Sequence, residues 1–349
     1  MTGIWYSAAD AGGRLALMRI LIIKLGALGD FFLAFGPFAA IRAAHPEAEI
    51  TLLTTAPLAG LAERAPWFDR VEADRRRPWW DLRQTWRLAR QLKGFDFVYD
   101  LQTSVRSAQY FRLAGRPRWS GIARGASHPH ANPARNRMHT FERQREQLGL
   151  AGIREFPAPE LGWLAGGKGR FDLARPYALV VPGAAAHRSA KRWPAERFAA
   201  LARHLAGVGC TPVLIGGRGE QTLGRVIRAM APAAIDLTGR TELTDLGPLT
   251  AGAALAVGND TGPMHLAALL GIPALVLFSA ASDPALTAPR GPAGERVLVI
   301  AAGELADLPV ERVVAALPGL HRPPPHPESP HPCLPSAFPT APSAASTRL

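Results

Sequence analysis

After an aperiodic start, the chain runs through the apolar stretch "RILII", breaks at "KLGALGD" and resumes as "FFLAFGPFAAIRAAHP". That order reads as strand, glycine-bearing turn and helix. It recurs with "AEITLLTT" as a short strand, a helical stretch ending near "AERAPWFDRV", and "FDFVYDLQ" as a buried run closing on Asp100 and Gln102. Around residues 151–176 the pattern dissolves into Gly, Pro and Trp, and then the alternation restarts. "YALVVPGA", "CTPVLIGG", "AAIDLTGR", "AALAVGND" and "PALVLFS" read as strands. "PAERFAALARHLAG", "QTLGRVIRAM", "LGPLTAG" and "PMHLAALLG" read as the helices between them.

Strands separated by helical segments predict parallel sheets covered by helices on both faces, and right-handed crossovers make them doubly wound. Two half-chains with this pattern predict two facing α/β domains, at residues 18–165 and 166–317. Met18 opens "MRILIIK", so residues 1–17 are expected to be a disordered extension. The segment 318–349 holds ten of the 32 prolines and almost no periodic apolar positions, and it reads as a disordered tail.

With 349 residues, 48% of them hydrophobic, each half can bury its own core. Cys210 and Cys333 cannot build a disulfide framework and have no His or Cys partners at zinc-site spacing. They indicate a reducing compartment, the cytoplasm. No apolar run reaches the roughly 18–20 residues of a membrane span. A formal net charge of +12 points to an anionic partner: a nucleic acid, a membrane surface or a phosphorylated substrate. No nucleic-acid-binding motif accompanies it, so nucleic acid is set aside. The arginines are densest between Asp74 and Arg145. Trp79, Trp80 and Trp86 beside them suit a membrane surface, and the plain alternative is a set of solvated helix faces.

In open α/β sheets ligands lie beyond the carboxyl ends of the strands, where helix N-termini offer unpaired amides. Three strand-to-helix turns carry unusual chemistry. In "KLGALGD", Gly26 and Gly29 permit a tight turn, and Asp30 is either the N-cap of the following helix or a general base facing a cleft. The spacing does not match the dinucleotide G-x-G-x-x-G pattern. In "VVPGAAAHRSAKRWP", Gly183 and the alanines leave room for a bulky group, and His187, Arg188, Ser189, Lys191 and Arg192 bring donors and positive charge. Trp193 is expected to pack between helix and sheet. In "GNDTGPMHL", Asn259, Asp260 and Thr261 can satisfy the first helical amides, Gly262 permits close approach, and His265 follows one turn later. Lys191 and this turn would enclose an anionic group from two sides. Asp260 would then need an offsetting role: capping, orienting Lys191 or contacting a sugar hydroxyl. No cluster has metal-ligand spacing, so neither a metal nor any other cofactor is expected.

Together "ILIIKLGALGD", "PGAAAHRSAKRWP" and "GNDTGPMHLAALLGIPALVLF" resemble the bacterial heptosyltransferases of glycosyltransferase family 9, over about Met18 to Leu317. The resemblance implies the GT-B architecture of two facing Rossmann-like domains, with the acceptor on residues 18–165 and the donor on 166–317. It implies an inverting, metal-independent enzyme moving heptose from ADP-heptose to a lipopolysaccharide inner-core acceptor, an anionic glycolipid at the cytoplasmic face of the inner membrane. By the same resemblance Asp30 is the base and Lys191 binds the diphosphate. Gly183, Ser189, Asp260, Thr261, Gly262 and His265 hold the donor, and Glu220 lies near its ribose. Two stretches depart from the family pattern, "FFLAFGPF" and "SAASDPALTAPRG", and bear on the acceptor pocket and the exact sugar. Other readings are the same fold with another donor or acceptor, a sugar-nucleotide epimerase, and a non-catalytic nucleotide-sugar or glycolipid binder.

Overall fold

The computed structural model describes residues 17–78, 80–166, 169–184, 192–291 and 297–317. The first sheet contains β1 (Arg19–Ile23), β2 (Glu49–Thr55), β3 (Arg70–Asp74), β4 (Phe97–Asp100), β5 (Arg118–Gly121) and β6 (His128–Pro129). The second contains β7 (Tyr177–Val181), β8 (Thr211–Leu214), β9 (Ile235–Asp236), β10 (Leu255–Asn259), β11 (Ala274–Phe278) and β12 (Val297–Ala301). All neighbouring strands pair in parallel, with registers such as Ile20 to Ile50 and Leu255 to Ala178.

The first sheet is ordered β3-β2-β1-β4-β5-β6 and the second β12-β11-β10-β7-β8-β9. Counted from its own first strand, each half has the order 3-2-1-4-5-6, so the winding reverses between β1 and β4 and between β7 and β10. The central strands β1, β4, β7, β10 and β11 are apolar and almost wholly buried, as sheets covered on both faces require. Edge strands β3 and β12 are half-exposed.

In the first half α1 (Leu28–Phe32) and α2 (Phe35–Ala44) follow β1, α3 (Ala56–Ala62) follows β2, α4 (Leu82–Gln91) β3 and α5 (Val105–Leu113) β4, while α6 (Thr140–Leu150) closes the half. The connection carries α7 (Gly162–Ala165). In the second half α8 (Ala195–Gly207) follows β7, α9 (Gln221–Met230) β8, α10 (Leu243–Ala251) β9, α11 (Gly262–Leu269) β10, α12 (Pro284–Thr287) β11 and α13 (Val310–Ala316) β12. Among the described residues no helix is long and apolar enough to cross a membrane.

One apolar cluster is continuous across the halves, joining Ile20, Phe35 and Trp67 of the first to Leu179, Leu246 and Met264 of the second. Trp163 of α7 packs on Trp67 and Phe35, with ring centroids 5.8 and 5.9 Å apart. Phe31, Phe32, Phe35 and Phe38 are at most 2% exposed, so "FFLAFGPF" fills this core rather than shaping a pocket. Trp193 is buried as expected, edge-on to Phe198 and donating from Nε1 to Leu308 O at 2.8 Å.

The segment read as the end of a helix at "AERAPWFDRV" is different. α3 stops at Ala62, and Arg70 already belongs to β3. As an edge strand paired only to β2, β3 needs no continuous apolar run and leaves little pattern.

Candidate active site

The loop leaving β1 sits at the first reversal point. Gly26 has φ of 112°, a backbone conformation that side chains disfavour. The chain then enters α1 with Ala27 as N-cap and no side-chain capping bond. Asp30 is the third helical residue, in the first turn. Of the two readings the sequence left open, capping is therefore not the role of Asp30. It lines the cleft between the halves.

The loop leaving β10 sits at the second reversal point. Asn259 is fully buried and joins two loops, because its Oδ1 accepts from Trp193 N at 3.1 Å and its Nδ2 donates to Pro182 O at 2.8 Å. Thr261 is the N-cap of α11 and its side chain makes no capping bond. The expected satisfaction of the first amides by side chains is not met at this N-cap. Asn259 is committed across the sheet instead, and neither it nor the Thr261 side chain takes up the first amides of α11. Asp260 lies 3.8 Å from His265 Nε2, and both side chains are 7% exposed.

The two helix starts touch. A Cβ on Gly262 would fall 2.6 Å from Cγ and Cδ2 of Leu28. One on Gly29 would fall 2.7 Å from Cδ2 of His265 and 2.9 Å from its Nε2. Glycine at both places lets the N-termini of α1 and α11 face one another at contact distance. Beside them opens a cleft of about 650 Å³, lined by Asp30, Gly183, Glu220, Asp260, Thr261, Gly262 and His265 among others. Seven predicted residues thus share one cavity. The Glu220 side chain folds back over Gly183, where a Cβ would meet its Cγ at 2.8 Å. Ser189 and Lys191 lie outside the described residues. Thr241, Glu242 and Thr287 also line the cleft and were not singled out from the sequence.

Behind Asp30 stands a buried charge. Lys24 is 4% exposed and donates from Nζ to Leu101 O at 3.3 Å. Burial pulls its pKa below the ordinary lysine value, against the attraction of Asp30 and Asp100. Burial also pushes the Asp100 carboxyl up to about 6, opposed by the hydrogen bond from Thr103 N and by the charge of Lys24. On the half-buried Arg143 of α6, burial works against the charge and Asp30 favours it. Lys24 and Arg143 were not picked out as site residues. A lysine ending an otherwise apolar strand was the available signal for the first; nothing local marked the second.

A second cavity, about 310 Å³, lies at the carboxyl end of β3 and is lined by Arg75, Arg77, Arg87 and Arg106 around Asp74. The Asp74 carboxylate is engaged by Arg76 N at 2.7 Å, by Tyr110 Oη and by Arg106. Four guanidinium groups around one occupied carboxylate leave this cavity strongly positive.

The halves are also clasped at the start of α6. His139 donates from Nε2 to Ala288 O at 3.0 Å and accepts at Nδ1 from Phe141 N at 3.2 Å, while Glu142 pairs with Arg290. Thr140 Oγ1 donates to Leu286 O at 3.4 Å. The atypical loop "SAASDPALTAPRG" is thus the segment that α6 grips, and its Thr287 reaches the cleft.

Comparison with known proteins bears out the resemblance. The family model of glycosyltransferase family 9 (heptosyltransferase) matches residues 157–313. Lipopolysaccharide heptosyltransferase 1 of Pseudomonas aeruginosa is 27% identical over 300 residues, 78% of this chain and 82% of that protein. Lipopolysaccharide heptosyltransferase 2 of Escherichia coli is 27% identical over 314 residues, 78% of this chain and 85% of its own. The solved structure of E. coli ADP-heptose lps heptosyltransferase II superposes with a TM-score of 0.69 at 24% identity, covering 87% of this chain and 98% of that one. E. coli heptosyltransferase WaaC with ADP gives 0.69 at 22% identity, with 86% and 99% covered. The shared fold is two facing Rossmann-like domains of the GT-B type.

Proposed function

We propose that this chain, a glycosyltransferase related to the heptosyltransferases of family 9, moves a heptose from ADP-heptose to a lipopolysaccharide inner-core acceptor with inversion at the anomeric carbon. The observation that carries the reading is the contact between the helix starts, which brings Asp30 of one half to the cleft facing the α11 N-terminus of the other.

Residues 166–317 hold the donor. Its diphosphate lies between Lys191 and the amides at Thr261 and Gly262, where the helix dipole and the ammonium favour negative charge. Glu220, beside Gly183 at the carboxyl ends of β7 and β8, is the group for the ribose. Departure of the diphosphate leaves oxocarbenium character on the sugar, and positive charge at the leaving oxygens stabilises that separation. Residues 18–165 hold the acceptor. Asp30 takes the proton of the attacking hydroxyl as it adds to the face opposite the leaving group. A single displacement forms one C–O bond, breaks one and inverts the centre. The arginine-lined cavity beyond β3 supports an anionic acceptor.

These roles assign charge neutralisation to Lys191 and the helix amides, without a metal. The enzyme works at the cytoplasmic face of the inner membrane. Incubation with a panel of nucleotide sugars and lipopolysaccharide core acceptors, read by product mass, tests the reading. The expected result is one heptose added from ADP-heptose. Sugar isomerisation in the donor without acceptor, or tight donor binding with no product on any acceptor, would reject it.

A further inference from the structure

Positive charge is concentrated on one segment of the first half. Between Arg75 and Lys93 six arginines and one lysine stand against a single carboxylate, Asp81. That carboxylate is occupied as the N-cap of α4, accepting from Gln84 N at 3.1 Å. α4 turns Leu88 into the core at 6% exposed, yet its large apolar residues Leu82 and Trp86 point outward, at 76% and 61% exposed, with Trp80 just ahead at 83%. Leu82 and Trp86 are four residues apart and share one face of the helix, which Arg90 continues at the same spacing. The Arg90 guanidinium lies over the Trp86 ring, 4.8 Å from its centroid. Single exposed apolar residues are ordinary on a protein surface. Two tryptophans and a leucine grouped among six arginines and a lysine are a different arrangement, apolar in the middle and basic around it.

This arrangement has a place in the fold. Seven residues separate the end of β3 from α4, whose Gln84, Thr85, Leu88 and Gln91 line the cavity with Ala73 and Asp74, so α4 packs beside the carboxyl end of that strand. We propose that the outer face of α4 docks on an anionic bilayer, with Trp80, Leu82 and Trp86 entering the headgroup region and Arg83, Arg90 and Lys93 meeting lipid phosphates. A single-stranded nucleic acid would meet the cations and stack on the tryptophans but leave Leu82 in water. A bilayer surface accommodates all of them. The proposal rests on the heptosyl-transfer reading only for its purpose, delivery of a membrane-embedded acceptor to the cleft.

The test uses the full chain and vesicles without donor or acceptor, so its failure is distinct from failure of the enzymatic reading. Co-sedimentation is measured with vesicles of phosphatidylglycerol and phosphatidylethanolamine and with phosphatidylcholine alone. The wild type should bind the anionic vesicles only, and more weakly from 50 to 500 mM NaCl by the expected screening, roughly a threefold change in Debye length. Arg83→Gln with Arg90→Gln should weaken binding about fivefold per arginine. Trp80→Ser, Leu82→Ser and Trp86→Ser combined should weaken it at least tenfold at unchanged melting temperature, with loss of tryptophan quenching by brominated lipid. Absence of wild-type binding overturns the proposal. So does full binding by the triple variant, which would leave only nonspecific attraction between charges.

Discussion

Gly29→Ala tests the contact between the two helix starts. The added methyl would sit 2.7 Å from Cδ2 and 2.9 Å from Nε2 of His265. Comfortable carbon contacts begin near 3.5 Å, so about 0.8 Å must be found. His265 is 6% exposed, against Gly29 on one side and Asp260 on the other, and has little room to yield. Either the ring turns or the halves separate by most of an ångström. Displacement of reacting groups by about 1 Å can cost roughly a hundredfold in rate. We therefore expect kcat/KM for heptosyl transfer to fall 10- to 100-fold, and overpacking to remove about 1–3 kcal/mol of stability. Donor affinity by calorimetry should fall less than kcat/KM, since among the residues given to the donor only His265 is pressed by the added methyl. Gly60→Ala is the control, because a Cβ there meets nothing within 4 Å. Its turnover should be that of the wild type. A Gly29→Ala enzyme with turnover within twofold of wild type and an unchanged melting temperature would refute the reasoning.

His45 is buried, its Nε2 is 2.8 Å from Tyr99 Oη, and burial lowers its pKa from 6.5 to about 4. A folded pKa below the unfolded one means that stability is full above pH 6.5 and drains as pH falls toward 4. The loss is roughly 3 kcal/mol from this group. Denaturant unfolding of His45→Gln should lose that part of the pH slope, and an unaltered slope would speak against it. Asn259→Ala leaves Trp193 N–H and Pro182 C=O without their partner and should cost about 2–4 kcal/mol. It should also weaken donor binding, and a loss below about 0.5 kcal/mol in chemical denaturation would contradict the role given to Asn259. Transfer should survive saturating EDTA, since no metal is assigned a role. Abolition of turnover that added divalent cation restores would overturn that.

The legible part of the fold and site was local. Each of the three loops follows a buried strand and precedes a helix, so glycines, Asp30 and the Asn-Asp-Thr-Gly run announce themselves within a dozen residues. Edge elements announce less: β3 hides in "DRVEAD" because one neighbour and half-exposure demand no apolar run. Long-range pairings leave no trace at all. His139 meets Ala288 across 149 positions, and neither residue looks unusual where it stands. Capping, one of the two readings open for Asp30 and the role expected of Asn259, fails for one physical reason. Residue type suits a cap, and tertiary geometry decides whether the side chain is spent on its own helix or elsewhere.

The most direct measurement is transfer by Asp30→Asn. The substitution keeps the shape of the side chain and removes its basicity. Single-turnover transfer from ADP-heptose to the core acceptor should fall about 10²- to 10⁴-fold. Calorimetric affinity for ADP-heptose should stay within a few-fold. Transfer at near wild-type rate in that variant would mean that some other group accepts the proton, and the alignment of the two helix starts would have no catalytic meaning.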